Sequence, residues 1–156
     1  MKSLRTILVI GTAAVTLAVA WAEENEAVKK DLAQLQGEWV MVSGSADGQP
    51  MPDEMRKQMK RMCKGDEITV MMGDQLFIKA KITIDLSKKP KTIDYQMLDG
   101  FTKGKKQLGI YELEGDKFKS CFAAPGAERP IDFTSKPGDK RTVSLWKRQK
   151  ETAPAR

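Results

Sequence analysis

Apolar and polar residues alternate along most of this chain, in short runs separated by glycine-containing turns. Side chains alternate across a β-strand, so a period of two marks a strand with one buried face. The clearest run lies at 75–85, where every even position from Leu76 to Ile84 is apolar. About eight strands are predicted, at 37–44, 67–72, 75–85, 91–98, 106–113, 117–123, 129–135 and 142–149. Short, evenly spaced strands predict a meandering sandwich or an up-and-down barrel, and closure would remove exposed strand edges.

Two segments show helical spacing instead. At 25–36, Asn25 can cap a helix whose Val28, Leu32 and Leu35 share one face, and this helix would plug one end of a barrel. At 54–63, methionines recur at spacings of three and four. The stripe consists of Met51, Met55, Met59 and Met62. The sequence predicts a second helix here, either packed on the barrel or forming a soft lid over a cavity mouth.

The first and last strands carry a second signal. Gly37 precedes Trp39 by two residues at the start of the first strand, and the last strand ends in Lys147 and Arg148. This arrangement resembles lipocalin-like barrels, in which a Gly-X-Trp on the first strand lies under an arginine from the last. The resemblance implies that Gly37, Trp39 and Arg148 close the barrel. Lys147 is the rival cation, but a planar guanidinium stacks better on an indole.

A closer resemblance follows from five motifs in order, which span 31–148. They are Leu35-Gln-Gly-Glu-Trp39, Lys64-Gly-Asp66, Lys88-Lys-Pro-Lys91, Leu108-Gly-Ile-Tyr-Glu-Leu113 and Ala124-Pro-Gly-Ala-Glu-Arg-Pro130. Together they resemble a family of small exported lipocalin-like domains abundant in planctomycete bacteria. That family has no assigned activity, so the resemblance supplies no catalytic residues. The Met-rich segment with Cys63 departs from the family pattern.

The first 22 residues are typical of a secretory signal peptide. Lys2 and Arg5 form a basic start, 6–20 is apolar or small, and both 18–20 and 20–22 fit the small-X-small cleavage rule. The alternative is an uncleaved N-terminal anchor, although the apolar run is short for a spanning helix. We therefore expect a periplasmic or secreted protein with a signal peptide at 1–22, a barrel domain at 23–149 and a disordered tail at 150–156. No stable membrane insertion is expected after cleavage.

Charge and composition exclude several function classes. Loss of the signal peptide lowers the net charge of +6 by two, and the remaining lysines are scattered along turns, so nucleic-acid binding is not expected. The chain has no histidine, the commonest general base and metal ligand. Glu112 and Glu114 share a strand face near a turn, where carboxylates usually face solvent. We expect no catalysis, no metal and no cofactor.

Cys63 and Cys121 permit one disulfide in an oxidising compartment. Cys121 lies in mid-strand, opposite in phase to Phe118 and Phe122, and nothing in the sequence brings the two sulfurs together. Two reduced thiols are the favoured alternative.

The sequence thus predicts an exported, non-catalytic lipocalin-like barrel with an apolar small molecule as its candidate ligand. The inward-facing side chains and the methionines of the second helix are the candidate contacts. These ligand-binding residues are Met41, Met55, Met59, Val70, Ile78, Ala80, Tyr95, Met97, Phe118 and Phe122. The alternative is a cell-envelope interaction or inhibitor module with a barrel filled by its own side chains. Such a module would bind an envelope protein through the Met-rich helix and the loop at 124–130.

Overall fold

The computed structural model describes residues 13–150, and the side chains of 17–150. The first twelve residues of the predicted signal peptide and positions 151–156 of the predicted tail lie outside the described residues. The elements in chain order are α1 (Ala13–Leu35), β1 (Gly37–Ala46), β2 (Gln49–Pro50), α2 (Asp53–Gln58), β3 (Met59–Lys64), β4 (Glu67–Met72), β5 (Gln75–Asp85), β6 (Lys91–Gly100), β7 (Lys106–Glu114), β8 (Lys117–Phe122) and β9 (Thr142–Arg148). Among the described residues, no helix is long and apolar enough to cross a membrane.

Eight of the strands form a closed barrel. Each strand pairs antiparallel with the next in the order β1, β3, β4, β5, β6, β7, β8 and β9, and β9 pairs back onto β1. The two-residue strand β2 adds only to the end of β1. The predicted all-β, up-and-down, lipocalin-like barrel of about eight strands with two helices is confirmed.

The predicted helix at 54–63 is wrong in its second half. Helix α2 ends at Gln58, and Met59–Lys64 is strand β3, which lies between β1 and β4. Along β3 every second residue is buried, in the order Met59, Arg61 and Cys63. This alternation of buried and exposed residues is that of a strand with one face inward. The methionine spacing that suggested a helix does not determine the structure here.

The predicted strand at 129–135 is also wrong, because this segment is a loop that contacts Gly109 of β7 and the outward-facing Lys119 and Cys121 of β8. Pro130 cannot donate a backbone hydrogen bond to a neighbouring strand. The Asp132 carboxylate instead accepts hydrogen bonds from the backbone and hydroxyl of Thr134. Such local bonds compete with strand pairing. The barrel still has eight strands, because β3, which was not predicted, makes up for the predicted strand at 129–135.

Helix α1 begins well before the predicted start at Asn25, which lies in mid-helix and caps nothing. Residues 13–24 contain alanine, leucine and glutamate, which favour helix, so the helix continues through the predicted cleavage region. In this first part of α1, Leu17, Val19 and Trp21 are exposed. Its last part, with Val28, Leu32 and Leu35, packs against the barrel core as predicted.

The barrel is filled with side chains at the end that α1 covers, which we call the closed end. The residues that fill it are fully buried. They are Leu35, Trp39, Ile68, Ile93, Tyr111 and Phe118. We call the opposite end, which carries the turns after β4 and β6, the open end. Strand β1 starts at the closed end and the antiparallel strand β9 finishes there, so Trp39 and Arg148 lie opposite each other next to the end of α1.

Candidate ligand-binding site

The closed end is fastened where β1, β9 and α1 meet. The guanidinium carbon of Arg148 lies 4.3 Å from the ring centroid of Trp39, as the resemblance to lipocalin-like barrels implied. The Trp39 indole N–H donates to the carbonyl of Leu35 at 2.9 Å. Gly37, between helix and strand, has φ of +93°, a conformation that favours glycine. Lys147, the rival cation, is exposed on the other face of β9.

A cavity of about 240 Å³ occupies the open half of the barrel. Methionine, aromatic and branched aliphatic side chains make up most of its wall, and a few polar side chains interrupt it. The lining residues are Met41, Ala46, Met51, Met59, Arg61, Val70, Phe77, Ile78, Tyr95, Phe101, Thr102, Gln107, Ser120, Phe122, Thr142, Ser144 and Trp146. The barrel is therefore filled in one half and hollow in the other.

Six of the ten predicted ligand-binding residues line this cavity. They are Met41, Met59, Val70, Ile78, Tyr95 and Phe122. Ala80 and Met97 are buried and pair with each other next to a bulge between β5 and β6, but they do not line the cavity. Phe118 belongs to the filled half. Met55 is 42% exposed on α2, which has no buried residues, and it does not line the cavity.

The sequence prediction missed Arg61 altogether. It lies on β3, which was predicted as a helix, and a charged residue at an inward position breaks the expected alternation of apolar and polar residues. The alternation of Met59, Arg61 and Cys63 before the Gly65 turn was the available signal. Trp146 and Ser144 were also missed, because the outward positions of the last strand, Val143 and Leu145, are apolar too and periodicity does not identify its inward face.

Arg61 forms the floor of the cavity. Its side chain is 1% exposed, and its guanidinium carbon lies 4.6 Å from the ring centroid of Phe118. Phe118 in turn contacts Trp39 and Tyr111, each at 6.1 Å between ring centroids, in the filled half. The guanidinium thus separates the packed closed end from the hollow open end.

None of the three guanidinium nitrogens of Arg61 has a hydrogen-bond partner among the described residues. The buried serines and the Trp146 indole, by contrast, are paired with one another. The Ser120 and Ser144 hydroxyls lie 3.0 Å apart, and the Trp146 indole N–H donates to Ser144 at 2.8 Å. A buried arginine without a partner is unusual, because an arginine is not deprotonated in proteins and its charge is costly to bury.

The buried carboxylate of Asp31 does not compensate Arg61. Asp31 lies at the C-terminal half of α1, where its Oδ2 accepts a hydrogen bond from the Tyr111 hydroxyl at 2.8 Å. The same oxygen pairs with the Lys91 ammonium at 2.7 Å. This cluster fastens α1 to β6 and β7 at the closed end, so its negative charge is already engaged.

Two titratable groups lie near Arg61. Burial raises the pKa of Tyr95, and Arg61 opposes this rise through its charge and through the closeness of its guanidinium to the Tyr95 hydroxyl, although the two groups do not reach hydrogen-bond geometry. Burial likewise raises the pKa of the Cys63 thiol, again against the effect of Arg61. Both groups are therefore neutral at neutral pH, and Tyr95, which lines the cavity, keeps a hydroxyl proton to donate.

The chemistry of the lining follows from these groups. Its polar side chains are a guanidinium, hydroxyls, an amide and an indole, and none of the lining residues is a carboxylate, histidine or cysteine. General acid–base catalysis usually relies on one of those three types. The lining is suited to hold an apolar body and to donate hydrogen bonds at one end.

Comparisons with known proteins identified no relative of this chain. No protein-family model, no curated protein and no solved structure matches the chain.

Proposed function

We propose that this protein is an exported, non-catalytic barrel that binds a small apolar molecule in the hollow open half. The observation that carries the proposal is the division of the interior, in which one half is packed and the other holds a cavity of about 240 Å³. Proteins pack their interiors closely, so an apolar cavity of this size costs stability unless something uses it.

The composition of the wall supports a small-molecule ligand. Met41, Met51 and Met59 can adapt to an apolar body, and Tyr95 and Phe122 stack with ring centroids 4.1 Å apart. Most known ligand sites are apolar concavities with a few polar groups that fix orientation. The absence of a carboxylate, histidine or cysteine among the lining residues supports binding without catalysis.

Export is supported by the basic and apolar pattern at 1–22 and by the exposed Leu17, Val19 and Trp21 in the first part of α1. These apolar side chains contribute nothing to the barrel core. The test is to express the full chain in an exporting bacterial host and to measure the intact mass of the protein recovered outside the cytoplasm. Cleavage after Ala20 or Ala22 is expected. Full-length protein retained in the cytoplasm would contradict export, whereas full-length protein in the membrane fraction would favour the uncleaved anchor.

Ligand binding is tested with a neutral fluorescent probe, N-phenyl-1-naphthylamine, so that no particular head group is assumed. Saturable binding at one site per chain is expected. Ile78→Trp, which fills the cavity from β5, should abolish it. Thr83→Trp places the same side chain on the exposed outer face of β5 and should leave binding unchanged. Equal binding by all three proteins would place the probe elsewhere and overturn the proposal.

The interaction-module alternative is less well supported. It relied on a barrel filled throughout and on a Met-rich helix, whereas the open half is hollow and the helix is a six-residue segment. The loop at 124–130 is likewise engaged with the barrel, since Arg129 binds Asp94 at 2.5 Å and the carbonyl of Gly109 at 2.6 Å.

A further inference from the structure

We infer that the ligand is an amphipathic monocarboxylate, bound with its carboxylate on Arg61 and its apolar tail toward the open end. This inference rests on the proposed function and adds the class of ligand and its orientation. It is carried by the one buried side chain of the described residues whose nitrogen atoms have no partner.

The position of the charge sets the orientation. Arg61 lies at the floor, on the ring of Phe118, while the wall above it is formed by apolar side chains such as Met59, Val70 and Ile78. A ligand with its polar group at the mouth would leave the guanidinium buried against hydrocarbon. A ligand with an anionic group at the floor supplies the missing partner and leaves its apolar part against the apolar wall.

The number and shape of the charges favour a carboxylate. Arg61 is the one charged side chain among the lining residues, so a monoanion neutralises the site whereas a dianion leaves an excess negative charge in a poorly solvated place. The planar guanidinium fork matches the two oxygens of a carboxylate and can donate two parallel hydrogen bonds. Tyr95 lines the same cavity and offers a further hydroxyl donor.

The cavity volume sets the length of the tail. At about 30 Å³ for each water-sized group, 240 Å³ holds about eight such groups. An unbranched acid of about eight carbons therefore fills the cavity. A longer tail has to pass the mouth near Met51 and Phe101, where Phe101 is 87% exposed.

The decisive measurement is calorimetric titration of the protein recovered from the exporting host, at pH 7.5, with hexanoate, octanoate, dodecanoate, octanol and octylamine. Octanoate is expected to bind about 10- to 100-fold more tightly than octanol, which has the same tail and no charge. Octylamine is expected not to bind, because its ammonium would face the guanidinium. Among the acids, octanoate should bind more tightly than hexanoate, and dodecanoate should bind no more tightly than octanoate.

Variants at two neighbouring positions assign the effect to Arg61. Arg61→Met keeps the length of the side chain and removes its charge, so the preference for octanoate over octanol should disappear while octanol still binds. Lys60→Met removes a charge from the exposed outer face of the same strand and should keep the preference. If Arg61→Met fails to fold, the ligand series on the unmodified protein decides alone.

The outcomes separate this inference from the proposed function. Equal affinity for octanoate and octanol, with saturable binding of both, would overturn the carboxylate assignment and leave an apolar binding site in place. A preference that survives Arg61→Met would also overturn it. If neither octanoate, octanol nor N-phenyl-1-naphthylamine binds, the carrier function itself is wrong.

Discussion

Arg148 holds three parts of the molecule together through its contact with Trp39. While its guanidinium stacks on the indole at 4.3 Å, it also donates to the carbonyl of Gln36 at 2.6 Å and to that of Gln34. These carbonyls belong to the C-terminal end of α1, where backbone acceptors lack helical partners and the helix dipole favours a cation. One side chain therefore closes the barrel seam and caps the helix that covers the closed end.

Replacing Arg148 should destabilise the protein substantially. Stacking on an indole is worth about 0.5–2 kcal/mol, and the lost charged hydrogen bonds add to it, so Arg148→Ala should lower the free energy of unfolding by about 2–3 kcal/mol. Lys147→Ala, on the exposed face of the same strand, should change it by less than about 0.5 kcal/mol. Urea unfolding followed by tryptophan fluorescence measures both. Similar losses in the two variants would mean that the Arg148 contacts contribute nothing specific.

Both tyrosines of the chain should resist ionisation in the folded state. Burial raises the pKa of Tyr95, and burial together with the hydrogen bond to Asp31 raises that of Tyr111 well above the ordinary value of 10.0. Absorbance at 295 nm should therefore show much less tyrosinate at pH 11 in the native protein than in urea, where both tyrosines are largely ionised. A native titration centred near pH 10 would contradict the buried position of these side chains.

The same tyrosines should make stability depend on alkaline pH. The folded protein keeps the two protons above pH 10, whereas the unfolded chain releases them, so the stabilisation is complete below pH 10 and is lost as the pH rises further. The free energy of unfolding should fall by up to about 1.4 kcal/mol per pH unit for each tyrosine. Tyr111→Phe removes one of the two contributions and should reduce this slope.

The two thiols should be present and unreactive in the folded protein. Cys63 faces the barrel interior, whereas Cys121 lies on the outer face of β8 under the loop residue Thr134. Burial raises the pKa of Cys121 to about 11 and also raises that of Cys63, and only a thiolate reacts readily. Ellman's reagent at pH 7.5 should modify neither thiol in the native state and both in denaturant.

An exposed cysteine provides the control for this measurement. Ser87→Cys, in the turn between β5 and β6, should react at once in the native protein. Fewer than two thiols in denaturant for the unmodified protein would reveal a disulfide, which the placement of the two sulfurs on opposite sides of the barrel wall does not allow.

The sequence was sufficient for the parts of the fold in which one physical signal dominates. Strands β5 and β6 follow from alternation of apolar and polar residues, although the register shift between Leu76 and Ile78 leaves Leu76 exposed. The seam at Trp39 and Arg148 follows from residue types at the two ends of the barrel. The predictions failed where two signals compete. The methionine spacing at 51–62 imitates a helix, and the apolar residues near Ile131 imitate a strand although Pro130 and Asp132 favour a loop.

The binding site was harder to predict than the fold, for two physical reasons. Strand periodicity shows which side chains face inward, but it does not show which of them touch and which leave space. Bulges at Met41, Val70 and Lys79 shift the strand registers, and whether a given inward side chain lines the cavity depends on these shifts. Arg61 was missed because a buried charge violates the rule by which inward positions are recognised.

Arg61 is expected to lower the stability of the ligand-free protein although it strengthens ligand binding. A buried charge without a partner lowers stability, and replacing such a group by an apolar one of similar length is often neutral or stabilising by about 1–4 kcal/mol. In the absence of ligand, Arg61→Met should therefore raise the free energy of unfolding by about 1–3 kcal/mol, while Lys60→Met changes it little. Chemical unfolding of the three proteins measures the difference.

Octanoate should reverse the order of stability, so that the unmodified protein becomes more stable than Arg61→Met. A ligand that binds only the folded state stabilises it according to its concentration relative to the dissociation constant, by about 2.7 kcal/mol at a hundredfold excess. The unmodified protein should gain this stabilisation, and Arg61→Met should gain much less at the same octanoate concentration. If Arg61→Met is less stable than the unmodified protein under both conditions, the contact of the guanidinium with Phe118 outweighs the cost of burying it. Arg61 would then be a structural residue of the barrel floor, and its unpaired nitrogens would give no information about the ligand.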